Sequence, residues 1–184
     1  MISPRNKHKV KRYIGAMKTK NMLYGALFLG LLGSIGCMTA TPDCPEEIQA
    51  PLGASPKSAG CFAVYQGGLL VVQEMSEKVN LPGGSNIDGE SGRCTAFRET
   101  WEETGLRLMP GKLLAVFDTG FHLYECQHDV YSGAINPPLR MEVRSAFYLK
   151  AESFENYEWR FPDQKPLLKQ LMSDSADHVA QSLP

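Results

Sequence analysis

One segment near the middle of the chain places glycines, carboxylates and an arginine at spacings that suit metal and phosphate chemistry. Gly84, Glu90 and Arg98 are separated by five and by seven residues, and the run Glu-Thr-Trp-Glu-Glu-Thr-Gly-Leu follows directly. At about 100° per residue, three carboxylates of this run share one face of a predicted helix: Glu99, Glu102 and Glu103. Clustered carboxylates repel unless a cation neutralises them, and their oxygens suit Mg²⁺ or Mn²⁺, so the segment predicts a divalent-metal site.

An exposed acidic helix face is the alternative to a metal site, because an isolated Glu-x-x-Glu-Glu is usually only a solvated surface. The complete frame of seven fixed residues, however, would coincide by chance on the order of once in 10⁸ starting positions at average residue usage. Gly83 and Gly84 also let the backbone approach the helix closely, because neither carries a side chain. We therefore favour metal-dependent chemistry at this segment.

The segment from Gly84 to Leu106 resembles the Nudix box, and the match is complete at every charged and glycine position. One position departs from the family pattern, since Thr100 stands where that pattern has an aliphatic residue. Thr is β-branched and retains a methyl group, so we expect only a minor packing change. The resemblance implies an α/β fold, an α/β/α sandwich with a mixed central sheet. It also implies a metal-dependent hydrolase that cleaves a diphosphate linkage in a nucleoside diphosphate derivative or a related small molecule.

The resemblance further implies a role for each residue of the box. Glu102 and Glu103 correspond to the principal metal ligands, and Glu99 to a ligand or a base that orients water. Arg98 corresponds to the ion-pair partner of Glu99 in the catalytic set. The remaining positions are an auxiliary carboxylate, a backbone carbonyl that contacts the metal and two further glycines of the box: Glu90, Gly83, Gly84 and Gly105.

The resemblance leaves the position of the general base open, because family members differ in whether it lies on the helix or in a later loop. Glu158, just before Trp159, is one catalytic candidate from later in the chain, and Glu142 is another. For each, the alternative is an exposed carboxylate that serves only solubility, and geometry has to decide.

Two other functions remain compatible with the same scaffold. One is a non-catalytic module that binds a nucleotide as a regulatory ligand, and the other is a diphosphate isomerase, because a fold does not dictate its reaction. The intact glutamates argue against the first of these, since a binding module does not need all of them.

The elements around the box predict a single catalytic domain over residues 59–172, after a flexible tether over 37–58 and before a polar, frayed tail over 173–184. Two apolar runs flank Gln66-Gly67-Gly68 and predict a β-hairpin. Gly105 closes a helix that starts near Gly92. The two hairpin strands are Cys61–Tyr65 and Leu69–Gln73. Further strands are predicted at Lys112–Phe117, Phe121–Cys126, Val143–Leu149 and Tyr157–Phe161, and a last helix at Gln164–Met172.

The N-terminal residues 1–36 read as an export signal rather than as part of the fold. Basic residues precede an apolar stretch of 14 residues, Met22 to Ile35, which is short for a membrane span of about 20 residues. Ser34-Ile35-Gly36-Cys37 resembles a bacterial lipobox, so we favour a periplasmic or envelope-associated lipoprotein lipidated at Cys37 over a freely secreted form or an uncleaved anchor. Met17 is a plausible true start, because it already begins a compact signal.

Charge and cysteines constrain the partners and the compartment. The residues after Gly36 include 12 basic and 20 acidic ones, a net charge of −8, which disfavours a long nucleic-acid partner. It does not exclude the small diphosphate substrate that the resemblance implies, because a bound metal can attract such an anion. In an oxidising compartment the four cysteines after Cys37 are expected to pair. We prefer Cys44 with Cys61 and Cys94 with Cys126, although two other pairings and unpaired buried thiols stay open. No cysteine pattern predicts a zinc site.

Overall fold

The computed structural model describes residues 41–49, 55–87, 89–138 and 141–182. Eight strands lie in these ranges: β1 Ser58–Phe62, β2 Val64–Tyr65, β3 Gly68–Glu74, β4 Val79–Asn80, β5 Gly83–Ser85, β6 Leu108–Val116, β7 Phe121–His128 and β8 Val143–Lys150. They contain three α-helices: α1 Glu46–Gln49, α2 Gly92–Thr104 and α3 Lys165–Ser182. Two short 3₁₀ helices, Ala151–Asn156 and Pro162–Gln164, connect β8 to α3.

The strands form two four-stranded sheets. The first has the order β5-β1-β7-β6, in which β1 and β7 are parallel and the outer pairs are antiparallel. In the second, β3 pairs antiparallel with β2 and β4 along one edge and with β8 along the other. The first sheet is therefore mixed, as predicted, and the second is antiparallel throughout.

Helices cover both sides of the strands, and β3 shows why the chain has so long an apolar run there. Leu70 packs in a core cluster with Ala96 of α2, whereas its neighbours Leu69 and Val71 pack in a second cluster with Leu168 of α3. Because successive side chains of a strand point to opposite faces, a strand covered on both faces needs apolar residues throughout. This arrangement confirms the predicted α/β class.

Helix α2 carries the box, and its bounds agree with the prediction. Ser91 caps its start, with Oγ accepting a hydrogen bond from the Cys94 N–H at 3.1 Å. Gly105 ends it in the left-handed conformation, φ 76°, and donates its N–H to the Trp101 carbonyl at 2.7 Å. A β-carbon on Gly105 would lie 2.3 Å from the Asn136 carbonyl oxygen, so close packing as well as φ requires glycine.

The tether prediction is wrong for residues 41–49. Helix α1 packs on α2 through Ile48, which is 3% exposed and lies against Cys94 and Phe97. The Ser91 hydroxyl donates to the Ile48 carbonyl at 2.8 Å. A single apolar residue within a Pro-rich and acidic stretch gives no hydrophobic periodicity. The sequence pattern therefore could not predict this contact.

The C-terminal part also differs from the prediction. The predicted strand at Tyr157–Phe161 is a single bridge between Trp159 and Val79, because Pro162 and the flanking 3₁₀ turns prevent a longer pairing. Helix α3 continues past Met172 to Ser182, where a frayed tail was predicted. The added residues are polar but include no Gly or Pro, so nothing in them interrupts a helix.

Two disulfides are present, which confirms pairing, but the preferred connectivity is wrong. Cys44 pairs with Cys94 and Cys61 with Cys126, each at a Cα–Cα distance of 5.5 Å. Strands β1 and β7 are parallel neighbours, with Cys61 opposite Tyr124, and this places Cys126 within reach of Cys61. Helix α1 brings Cys44 to the first turn of α2. Proximity along the sequence misled the prediction, because contacts between distant segments decide the pairing.

No helix within the described ranges is long and apolar enough to cross a bilayer. The predicted signal segment over residues 1–36 and the predicted lipidation site Cys37 lie outside the described residues.

Candidate metal and phosphate site

Arg98 ties together three acidic residues of the box. Its guanidinium bonds to Glu99 at 2.8 Å, to Glu90 at 3.0 Å and to Glu102 at 3.2 Å, and Nη2 also donates to the Ser85 carbonyl at 2.8 Å. Burial alone would lower the pKa of Arg98, but the hydrogen bonds to Glu90 and Glu99 outweigh it and raise that pKa. The permanent cation therefore fixes the orientation of two predicted metal ligands.

Glu90 supports Arg98 from outside the helix. Its carboxylate accepts hydrogen bonds from the Thr95 hydroxyl at 2.9 Å and the Ile87 N–H at 3.3 Å. Burial raises the pKa of Glu90, yet the hydrogen bonds from Arg98 and Thr95 give a net lowering. Glu90 is therefore ionised and positioned to hold Arg98, which suits the auxiliary role that the resemblance implies.

Glu103 and Glu99 have the opposite electrostatics. Burial, together with the charges of Glu99, Glu142 and Glu74, raises the pKa of Glu103 to about 8, against a 2.8 Å hydrogen bond from the Gly83 N–H. Burial likewise raises the pKa of Glu99, which is 9% exposed, with Arg98 opposing and Glu142 adding to the shift. Two carboxylates whose negative charge is disfavoured by burial and by neighbouring carboxylates form a site that favours an added cation.

Gly84, which opens the box, and Gly83, just before it, are both required by close approaches of the backbone. A β-carbon on Gly84 would lie 2.4 Å from the Glu99 carboxylate. One on Gly83 would lie 2.6 Å from the Ala59 carbonyl oxygen across the β1–β5 pair. The backbone of β5 thus forms one wall of the carboxylate site, as the sequence predicted.

The donor set fits a hard divalent cation, because every side chain of the cluster offers carboxylate oxygen. In the present side-chain conformations, no three His, Cys, Asp or Glu side chains of the described ranges converge closely enough to enclose an ion. Glu99 and Glu102 bind Arg98 instead, and Glu103 binds the Gly83 N–H, which accounts for their separation.

The two later candidates for the general base, Glu142 and Glu158, differ in their surroundings. Glu142, just before β8, is near enough to raise the pKa of both Glu99 and Glu103. Glu158 forms an ion pair with Lys78 at 3.0 Å, and its side chain is 73% exposed. Its backbone carbonyl accepts the Val79 N–H at 2.8 Å, which holds it beside β4. The charge of Glu142 thus reaches the cluster, whereas Glu158 is engaged with Lys78 at the surface.

Sequence reasoning missed Glu74, the last residue of β3. Its charge raises the pKa of Glu103, and it also pairs with Arg160 at 2.7 Å. Strand alternation alone could not place it, because the pairing of β3 with β8 shifts register between Gln73 and Glu74.

Comparisons with known proteins agree with this geometry. A family model described as the NUDIX domain matches residues 54–171. An ADP-ribose pyrophosphatase structure from Streptococcus suis is 16% identical with a TM-score of 0.54, over 67% of this chain and 92% of that one. A UDP-X diphosphatase structure is 18% identical with a TM-score of 0.55, over 69% and 66%. A NUDIX hydrolase structure from Nitrosomonas europaea is 20% identical with a TM-score of 0.53, over 66% and 72%. At these identities the likeness is one of fold, and no curated protein sequence matches the chain significantly.

Proposed function

The chain belongs to the Nudix family of hydrolases, and from this premise we propose that it cleaves a diphosphate linkage with the help of Mg²⁺ or Mn²⁺. The observation that carries the proposal is the pair of buried carboxylates, Glu99 and Glu103, whose pKa values are raised beside a backbone wall of glycines. A binding module has no use for so costly a cluster of acids. The substrate class is a nucleoside diphosphate derivative or a related small diphosphate, and the names of two structural neighbours, an ADP-ribose pyrophosphatase and a UDP-X diphosphatase, support that class.

In this proposal Glu99, Glu102 and Glu103 hold the cation together with the Gly83 carbonyl. A bound divalent ion would supply an acidified water and would offset charge on the leaving phosphate. Arg98 keeps Glu99 and Glu102 oriented through its two bonds to them. The nearby carboxylates then accept the proton of the attacking water, which displaces the leaving phosphate in line.

We assign the late base to Glu142 in place of Glu158. The charge of Glu142 raises the pKa of Glu99 and of Glu103, whereas Glu158 is paired with Lys78 and its side chain is 73% exposed. A general base has to lie within hydrogen-bond reach of the attacking water.

The test compares Glu103→Gln with Glu158→Gln as a matched control. Phosphate-bond cleavage is measured with Mg²⁺ and with Mn²⁺ on nucleotide sugars, dinucleotides and prenyl diphosphates. We expect Glu103→Gln to lower kcat by about 10²- to 10³-fold and Glu158→Gln to leave it unchanged. Wild-type turnover by Glu103→Gln would refute the site. Nucleotide binding without cleavage would indicate the regulatory module, and rearrangement without phosphate release would indicate the isomerase.

We also propose that the protein acts outside the cytoplasm, as a lipoprotein anchored at Cys37. The basic and apolar order of residues 1–36 supports export, and so do the two disulfides, because such bonds persist in oxidising compartments. A freely secreted form or an uncleaved anchor is distinguished by fatty-acid labelling of the wild type against Cys37→Ser.

A further inference from the structure

The chain that follows the proposed anchor runs directly to the catalytic carboxylates. Thr41 Oγ1 donates a hydrogen bond to Glu102 Oε1 at 3.3 Å. Three residues later, Cys44 is bonded covalently to Cys94 in the first turn of α2, and Ile48 is buried beside it. This N-terminal segment, residues 41–49, is therefore clamped along the helix that carries the box.

The clamp leaves very little chain between the site and the anchor. Only three residues separate Cys37 from Thr41 in the sequence, and four fully extended Cα–Cα steps span at most about 14 Å. A lipid on Cys37 would therefore hold Thr41, and with it Glu102, near the bilayer surface. The flexible tether of 22 residues predicted over 37–58 would have allowed a far longer reach.

Exposed apolar side chains flank the same acidic cluster. Met75 is 62% exposed and directly follows Glu74, and Met141 is 90% exposed and directly precedes Glu142. Ile87, 58% exposed, donates its backbone N–H to the Glu90 carboxylate. Exposed large apolar side chains beside a polar site can insert into a membrane interface.

Net charge does not favour membrane contact. The residues after Gly36 carry a net charge of −8, which disfavours attraction of the domain as a whole to anionic lipid. The anchor and the apolar side chains around the site are the features that favour membrane contact.

We propose that this site works against a bilayer and that its substrate is a diphosphate carried on a lipid. The proposal rests on the proposed hydrolysis and on membrane attachment near Cys37. Water attacks one phosphorus and the bridging P–O bond to that phosphorus breaks. The bridging oxygen leaves with the other phosphorus, and the proton of the water passes to a carboxylate of the cluster. The lipid monophosphate stays in the bilayer, and the polar product leaves to solvent.

The test uses the full chain in phosphatidylcholine vesicles with two probes of the same headgroup. One is a long-chain prenyl diphosphate in the vesicle, and the other is a short-chain, water-soluble prenyl diphosphate. We expect the wild type to cleave the vesicle-borne probe with the higher kcat/KM. The double variant Met75→Ser/Met141→Ser should lose about tenfold on that probe and nothing on the soluble one.

The matched control is Val116→Ser, because Val116 is 57% exposed but lies on β6, at the edge of the first sheet opposite β5. It should change neither rate. A wild type that cleaves only soluble diphosphates, or a double variant that keeps full activity on vesicles, overturns the lipid substrate while the hydrolase stands. A wild type that cleaves neither probe nor any nucleotide diphosphate overturns the proposed hydrolase itself.

Discussion

Burial of Glu103 favours its protonated form, whereas the proposed metal binding requires its ionised form. In the unfolded chain its carboxyl has an ordinary pKa near 4.5, and in the folded, metal-free protein burial raises that pKa to about 8. The folded state therefore binds the proton more tightly than the unfolded state does. The stability that this group contributes is complete below pH 4.5 and is lost as pH rises towards 8.

This conflict predicts a pH dependence of stability in the absence of metal. With EDTA, the Tm of the wild type relative to that of Glu103→Gln should fall between about pH 5 and pH 8, because glutamine does not titrate. Excess Mg²⁺ should remove the difference, since a cation replaces the proton. Melting curves at a series of pH values measure this directly. Parallel Tm profiles for the two proteins in EDTA would contradict the raised pKa.

Thr100 is a second residue at which the chain departs from the expected chemistry. It is fully buried in α2, and its hydroxyl has no hydrogen-bond partner within the described residues. A buried hydroxyl without a partner costs about 1–3 kcal/mol of desolvation. Thr100→Val should therefore raise the free energy of unfolding by about 1 kcal/mol, as measured by urea denaturation.

The neighbouring Thr95 provides the matched control. It is equally buried, but its hydroxyl donates to Glu90 at 2.9 Å and accepts from Asn86 at 2.8 Å. Thr95→Val should destabilise the protein, in the opposite direction. Equal effects of the two substitutions would mean that the Thr100 hydroxyl is satisfied in solution.

At the scale of elements, α2 was predictable because its signals are local. The cap at Ser91, the left-handed Gly105 and the spacing of Arg98 and the glutamates all lie within one segment. The choice between Glu142 and Glu158 was not predictable, since it depends on the bridge of Trp159 to β4. The packing of α1 escaped prediction for the same reason, because it arises from contacts between segments far apart in sequence.

The two disulfides join such distant elements, and each should contribute substantially to the free energy of unfolding of the domain. The Cys44–Cys94 bond closes 50 residues and Cys61–Cys126 closes 65, so the loop-closure model gives each about 4 kcal/mol as an upper value. The double alanine variant of either pair should lose roughly 2–4 kcal/mol of unfolding free energy in urea. The two variants act as controls for each other, because only the first releases α1. Loss of less than about 1 kcal/mol in both would show that the bonds contribute little.

At the scale of the whole molecule, the two disulfides and the predicted N-terminal export signal should indicate the same compartment. Cytosolic thiols are kept reduced, so a chain retained in the cytoplasm should lack both bonds. We expect full-length wild type, expressed in a bacterial host, to resist thiol alkylation at the four cysteines of the two bonds. Leu29→Arg, which places a charge in the apolar stretch, should block export and leave those cysteines reactive.

Val116→Arg, an exposed substitution on β6, is the control, and its four cysteines should remain oxidised. If the Leu29→Arg protein stays in the cytoplasm and its cysteines are still protected, the disulfides form without export. The disulfides would then no longer support an extracytoplasmic enzyme.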